Sequence, residues 1–145
     1  MRVMALDIGS VRVGVAVSDP EERVATPICV LPASEVASGA RSFARVLEDW
    51  EPGLIVAGLP LTLAGKEGPQ AARVRAVAAK AAEKAGAPLV FADERLSSVQ
   101  AKRSLREKGF SEKAMRGKVD MIAASLFLQA WLDSRSQRDA PVDLN

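Results

Sequence analysis

The sequence has no histidine, no tyrosine and one cysteine, Cys29, among its 145 residues. These absences exclude Ser-His-Asp triads, Cys-His pairs, tyrosine nucleophiles and zinc sites built from histidines or from several cysteines. A single cysteine also excludes a disulfide within the chain. The side chains that remain for catalysis are Asp, Glu, Lys, Arg, Ser and Thr. Proteins restricted to this set often recruit a hard divalent metal through carboxylates.

Long apolar runs are also absent, since no stretch approaches the roughly 18 residues that a membrane helix requires. The first residues, MRVMALDIGS, contain an apolar run too short for a secretory signal and no small-residue cleavage site. A lone cysteine suits a reducing compartment. These features predict a cytoplasmic protein, and 145 residues with 48% apolar content predict one globular domain.

Charge is distributed unevenly along the chain, although the net charge is only +2. The segment 95–118 has eight basic residues against two acidic ones, a net charge of +6, which leaves −4 for the rest. Such asymmetry predicts a surface that faces a polyanion. The basic residues are Arg95, Lys102, Arg103, Arg106, Lys108, Lys113, Arg116 and Lys118.

The apolar pattern predicts the order β-β-β-α-β-α-β-α-α, a mixed five-stranded α/β sheet flanked by helices. Pro27 indicates that the third strand lies at an edge, and Gly14 indicates a bulge or a close backbone approach in the second. The predicted strands are 2–8, 11–19, 25–32, 54–60 and 88–94, and the helices are 38–50, 68–86, 97–109 and 119–134. Residues 111–118 are predicted as a short helix or an irregular link.

Acidic residues occur where several predicted strands end. Asp7 ends the first strand, Asp93 and Glu94 end the fifth, and Asp120 opens the last helix. If the first and fifth strands lie parallel in one sheet, these acids share its carboxyl edge, where open α/β sheets bind ligands. Side chains alternate along a strand, so one of Asp93 and Glu94 points into the site, and spacing does not decide which.

Each acid has a structural interpretation beside the functional one. Asp7 could merely end a strand, but it follows a run buried on both faces, where an unpaired carboxylate is costly. Asp120 taken alone could be an ordinary first-turn acid. A divalent cation would offset the repulsion among clustered carboxylates, and Mg²⁺ or Mn²⁺ suits a site made of oxygen ligands.

Four blocks in this order resemble the YqgF/RuvX family of pre-16S rRNA nucleases and Holliday-junction-resolvase homologues: ALDIGSVRVGVAVSD, GLPLTLAGKEGPQA, FADERLSSVQA and VDMIAASLFLQAWL. The resemblance covers residues 1–135 and implies a ribonuclease H-like fold. We predict one ribonuclease H-like nuclease domain over residues 1–138, followed by a polar, frayed tail at 139–145. The family's catalytic, metal-binding acids fall on Asp7, Glu94 and Asp120, with Asp93 as the fallback within DER.

The resemblance implies a Mg²⁺- or Mn²⁺-dependent endonuclease that acts on structured nucleic acid. It leaves two substrates open, the 5′ end of precursor 16S rRNA and four-way DNA junctions, and symmetric junction cutting would need a homodimer. The residues expected to hold the nucleic-acid backbone are Arg95, Lys102, Arg103, Arg106, Lys113, Arg116 and Lys118.

Two other classes of function compete with the nuclease. An actin-like ATPase begins with a similar DxG hairpin, but it needs two such domains, and GLPLTLAGKE does not form a Walker loop. A non-catalytic nucleic-acid-binding module in rRNA maturation or transcription is the second. It does not account for three acids at the contact face.

Overall fold

A computed structural model describes residues 1–62, 64–93, 107, 109 and 117–139. Its strands are β1 (Val3–Ile8), β2 (Arg12–Ser18), β3 (Ala25–Pro32), β4 (Leu54–Leu59) and β5 (Leu89–Asp93). Its helices are α1 (Ala33–Ser38), α2 (Arg41–Trp50), α3 (Pro69–Ala85) and α4 (Val119–Asp139). None of the helices in this described part is long and apolar enough to cross a membrane.

The five strands form one mixed sheet in the order β3-β2-β1-β4-β5, which confirms the predicted fold class. Strands β1, β2 and β3 pair antiparallel, whereas β1–β4 and β4–β5 pair parallel. Pro27 lies in edge strand β3, as predicted, because proline has no N–H to donate to a further neighbour. The register of β2 against β3 shifts between Val15 and Ala16.

Both faces of the sheet are covered by helices, so the central strands are apolar on both sides. Helices α1, α2 and α3 cover one face, and we call this the three-helix face. Its buried residues include Met4, Leu6, Val13, Val15, Ile55, Phe43 and Val74. Helix α4 covers the other face, the α4 face, whose buried residues include Val3, Ala5, Ala16, Val56, Ala124, Phe127 and Leu128.

The helix boundaries differ from the prediction in two places. The predicted helix 38–50 is wrong at its start, because Ser38 ends the short helix α1 and Gly39 adopts a left-handed conformation with φ 66° before α2 begins. Helix α4 continues to Asp139, beyond the predicted end at 134. Arg135 supports this extension, since its Nη1 lies 2.7 Å from Oε1 of Glu22.

Parts of the prediction fall outside the described residues. These are almost all of the predicted helix 97–109, most of the segment 111–118, and residues 140–145 of the predicted tail. Asp139, which the prediction assigned to the tail, is the last residue of α4.

Candidate metal-binding site at the carboxyl edge of the sheet

Asp7 lies near the carboxyl end of β1 and is half-buried between the buried residues Leu6 and Ile8. Leu6 and Ile8 belong to the core of the three-helix face. Because side chains alternate along a strand, Asp7 is directed to the α4 face. The strand therefore places one carboxylate at the rim of the sheet, on the side that α4 covers.

A tight turn joins β1 to β2 directly after Asp7. The N–H of Gly9 donates to the carbonyl oxygen of Arg12 at 2.8 Å, and a Cβ at Gly9 would lie 3.0 Å from the same oxygen. The backbone at Gly9 is not left-handed. The reason for a glycine at this position is therefore the close approach of the Arg12 carbonyl oxygen, not an unusual φ. The turn fixes the register in which Asp7 pairs with Gly14.

Gly14 is the point where α4 rests on the sheet. A Cβ at Gly14 would overlap the carbonyl group of Asp120 and lie 2.7 Å from the backbone nitrogen of Met121. The close backbone approach predicted for this glycine is therefore confirmed. Since Asp7 pairs with Gly14 across the hairpin, the first turn of α4 carries Asp120 to the same rim as Asp7.

Arg12 forms an ion pair with Asp120 that the sequence did not reveal. Its Nε donates to Oδ2 of Asp120 at 3.0 Å, with the side chains 55% and 25% exposed respectively. Arg12 and Gly14 are two residues apart in β2, so both are directed to the α4 face. The positive end of α4 also favours a carboxylate at Asp120. Alternation from Gly14 was the one sequence signal that could have found Arg12.

Asp93, the fallback acid, is the last residue of β5 and is exposed. It pairs with Leu59, whose side chain belongs to the core of the three-helix face. Asp93 is therefore directed away from the face that Asp7 and Asp120 share. Within the described residues no group of three His, Cys, Asp or Glu could hold a metal ion, so Asp93 does not complete one. Glu94 lies outside the described residues.

The loop from β4 to α3 follows the carboxyl end of β4, next to β1 in the sheet. Leu61 and Glu67 form a β-bridge, and the N–H of Thr62 donates to the carbonyl oxygen of Lys66 at 2.8 Å. Gly65 adopts a left-handed conformation with φ 77°, which suits glycine at the tip. The loop is thus closed by backbone contacts, with the exposed Lys66 next to its tip.

Glu67 and Arg75 tie this loop to α3 and to the sheet. Nε and Nη2 of Arg75 lie 2.5 and 3.1 Å from Oε1 and Oε2 of Glu67, and the guanidinium lies 4.6 Å from the ring centre of Phe91. The hydrogen bonds from Arg75 lower the pKa of the Glu67 carboxyl. The charged form of Glu67 is therefore the form that closes the loop.

This ion pair predicts a pH response of the loop. Because the pKa of Glu67 is lowered, the pair should persist above the ordinary carboxyl value of 4.5 and be lost only as pH falls through the lowered pKa. In an NMR titration, the Gly65 and Lys66 amides should shift with a midpoint below 4.5. Arg75→Gln should raise that midpoint, and Arg73→Gln on the same helix should not. Equal midpoints in wild type and Arg75→Gln would contradict the assignment.

Lys118 is the predicted nucleic-acid-binding residue that lies within the described part of the chain. It is exposed, in the turn before α4. Its carbonyl oxygen accepts the N–H of Ile122 at 3.1 Å, which begins the helix. This places a basic side chain two residues before Asp120. The other predicted contacts lie outside the described residues: Arg95, Lys102, Arg103, Arg106, Lys113 and Arg116.

Comparison with solved structures identifies the fold. RuvC of T. thermophilus in complex with a Holliday junction substrate is similar with a TM-score of 0.57 and 17% identity, covering 98% of this chain and 99% of that chain. The fowlpox virus Holliday junction resolvase is similar with a TM-score of 0.53 and 16% identity, covering 92% and 99% respectively. The fold is thus the ribonuclease H-like fold of RuvC-type resolvases.

Comparison of the sequence identifies the family. A model described as RuvX, Holliday junction resolvase, matches residues 1–134. A protein of Anaeromyxobacter sp. (strain Fw109-5) named "Putative pre-16S rRNA nuclease" is 43% identical over 93% of this chain and 98% of its own length. One of the same name from Chloroflexus aggregans (strain MD-66 / DSM 9485) is 38% identical over 92% and 94%. The chain therefore belongs to the RuvX (YqgF) family.

Proposed function

We propose that this protein is a divalent-metal-dependent endonuclease that processes the 5′ end of precursor 16S rRNA. The observation that carries the proposal is the meeting of Asp7 and Asp120 at Gly14, within a chain that matches a nuclease family along nearly its full length. Two carboxylates at one rim of a sheet repel each other, and a divalent cation bound by both would offset that repulsion. This rim of the sheet is thus suited to hold metal rather than to bind phosphate directly.

Asp7 and Asp120 supply a donor set of carboxylate oxygens, which fits Mg²⁺ or Mn²⁺. Glu94 completes the proposed ligand set, since Asp93 is directed to the opposite face of the sheet. When bound, such metals lower the pKa of a water and neutralise charge on a phosphodiester. The chain itself fixes the two acids at the rim, and Lys118, an exposed residue two positions before Asp120, would contact a backbone phosphate.

The rest of the nucleic-acid surface is assigned to the basic segment. Arg95, Lys102, Arg103, Arg106, Lys113 and Arg116 would contact phosphates in addition to Lys118, because that segment concentrates the positive charge of the chain. Contacts of this kind hold a duplex or a folded RNA without reading its sequence. The fold of the RNA near the cut, rather than a base motif, would then select the site.

RNA is favoured over branched DNA because the relatives named after pre-16S rRNA reach 43% identity, whereas the resolvase structures share 17% or less. Precursor rRNA also agrees with the cytoplasmic location that the sequence predicts. The family model's own description keeps four-way DNA junctions as the second candidate. Symmetric cutting of a junction needs two sites, so that substrate would require a homodimer, whereas one site suffices to cut RNA.

A cleavage panel tests the proposal. Purified protein is incubated with precursor 16S rRNA, four-way DNA junctions, single strands and duplexes, each with Mg²⁺, Mn²⁺ or EDTA. We expect cleavage of the precursor near its mature 5′ end with either metal and none with EDTA. Resolution of junctions without cleavage of the precursor would transfer the assignment to DNA. RNA that is bound but uncut with both metals would identify a binding module and overturn the enzyme assignment.

A further inference from the structure

We propose that Arg12 is a positioning residue for this site: it holds the carboxylate of Asp120 in the orientation that binds metal. The inference rests on the proposed function and adds to it a residue that neither the acids nor the basic segment include. Its basis is the hydrogen bond from Nε of Arg12 to Oδ2 of Asp120, at 3.0 Å.

The geometry allows the Asp120 carboxylate to accept the hydrogen bond from Arg12 and to bind a metal ion at the same time. Nε of Arg12 bonds to one carboxylate oxygen, Oδ2, and does not itself occupy Oδ1, the oxygen that we propose binds metal. The Asp120 side chain is 25% exposed, which gives a hydrated ion access to it. An arginine that binds through Nε on one oxygen therefore restricts the carboxylate without covering it.

The side chain of Asp120 needs such support because its backbone alone does not orient it. Gly14 seats the peptide of Asp120 against β2, but rotation about the Cα–Cβ bond would still swing the carboxylate. Arg12 donates to this carboxylate from the neighbouring strand β2, which restricts that rotation. Hydrogen bonds that orient ligating side chains commonly determine metal affinity and activity, by about 10–100-fold.

Arg12 is also separable from the stability of the fold. It is 55% exposed, and ion pairs at this degree of exposure contribute little to global stability because water and salt screen them. A variant at Arg12 should therefore fold normally and report on the site alone. The chain offers a matched control in Arg45, an exposed arginine of α2 on the opposite face of the sheet.

The test compares Arg12→Gln, Arg12→Lys and Arg45→Gln with wild type. Mn²⁺ affinity is measured by calorimetry without nucleic acid, kcat and KM are measured on the cleaved substrate, and Tm is measured by melting. For Arg12→Gln we expect Mn²⁺ affinity about 10-fold weaker, kcat about 10–100-fold lower, KM nearly unchanged and Tm nearly unchanged. Arg12→Lys should recover part of the loss, and Arg45→Gln should match wild type.

Three results would overturn the inference. Unchanged Mn²⁺ affinity in Arg12→Gln would show that Asp120 is oriented without Arg12. Tighter Mn²⁺ binding would show that Arg12 competes with the metal. A raised KM with unchanged kcat would show a contact to the nucleic-acid backbone. Failure of the proposed function itself would look different: the wild-type protein would then neither bind Mn²⁺ nor cut any substrate.

Discussion

Replacing Asp7 by asparagine is expected to abolish metal-dependent cleavage, with a loss of at least ~1,000-fold in kcat. Asparagine has nearly the same size as aspartate, so the pairing of β1 with β2 at Gly14 should be retained. What it lacks is the negative charge that a divalent cation requires from a ligand at this position. The loss should therefore come from weaker metal binding, with Mn²⁺ affinity falling in parallel in calorimetry.

The control for this variant is Asp49→Asn, because Asp49 is an exposed acid of α2 on the opposite face of the sheet. It should cleave at the wild-type rate. Melting curves of both variants check that folding is intact. Full metal-dependent cleavage by Asp7→Asn would show that Asp7 is not a ligand, and the assigned mechanism would then be wrong.

Gly14→Ala should damage stability and activity together. Its methyl group would overlap the carbonyl of Asp120, and neither can rotate away, because the backbone fixes the position of a Cβ and the carbonyl is itself backbone. Helix α4 must then lift from β2, which separates Asp120 from Asp7 and opens the α4 face of the core. Overpacking of this kind costs about 3 kcal/mol of the free energy of unfolding, which lowers Tm by roughly 10 °C.

Gly68→Ala is the matched control, since a Cβ at Gly68 would meet only Cγ2 of Thr62, at 3.8 Å, an ordinary contact. Cleavage is measured well below the Tm of both variants, so that unfolding does not contribute. We expect Gly14→Ala to lose most of its kcat there and Gly68→Ala to keep it. A Gly14→Ala protein with wild-type Tm and kcat would mean that α4 does not rest on Gly14.

Much of the sheet could be predicted from the sequence because its signals are local. Strands β1 and β4 read as continuous apolar runs since both faces are covered, and Pro27 indicates the edge. Helix α1 could not be predicted in the same way. It has six residues and one buried side chain, Val36, so it shows no helical period, and the predicted helix 38–50 included its last residue instead.

The acids of the proposed site were predicted from the sequence, and their role as metal ligands stays a prediction, whereas the contacts that support them were not predicted. Asp7 and Asp120 were identified from strand and helix ends, which are local features. The Arg12–Asp120 and Glu67–Arg75 ion pairs form only when elements that are far apart in the sequence pack against each other. Local sequence patterns do not show which elements pack together. The sequence could not show the register of β5, where pairing with Leu59 directs Asp93 to the three-helix face. That register supports Glu94 as the proposed ligand, which stays a prediction.

Anomalous diffraction from crystals grown with Mn²⁺ tests the central claim, that Asp7 and Asp120 hold a divalent metal, most directly. We predict at least one Mn²⁺ peak bound by carboxylate oxygens of Asp7 and Asp120, with Glu94 as a further ligand and Arg12 still bonded to Oδ2 of Asp120. No peak at this rim, or a peak held by Asp93 on the three-helix face, would contradict it.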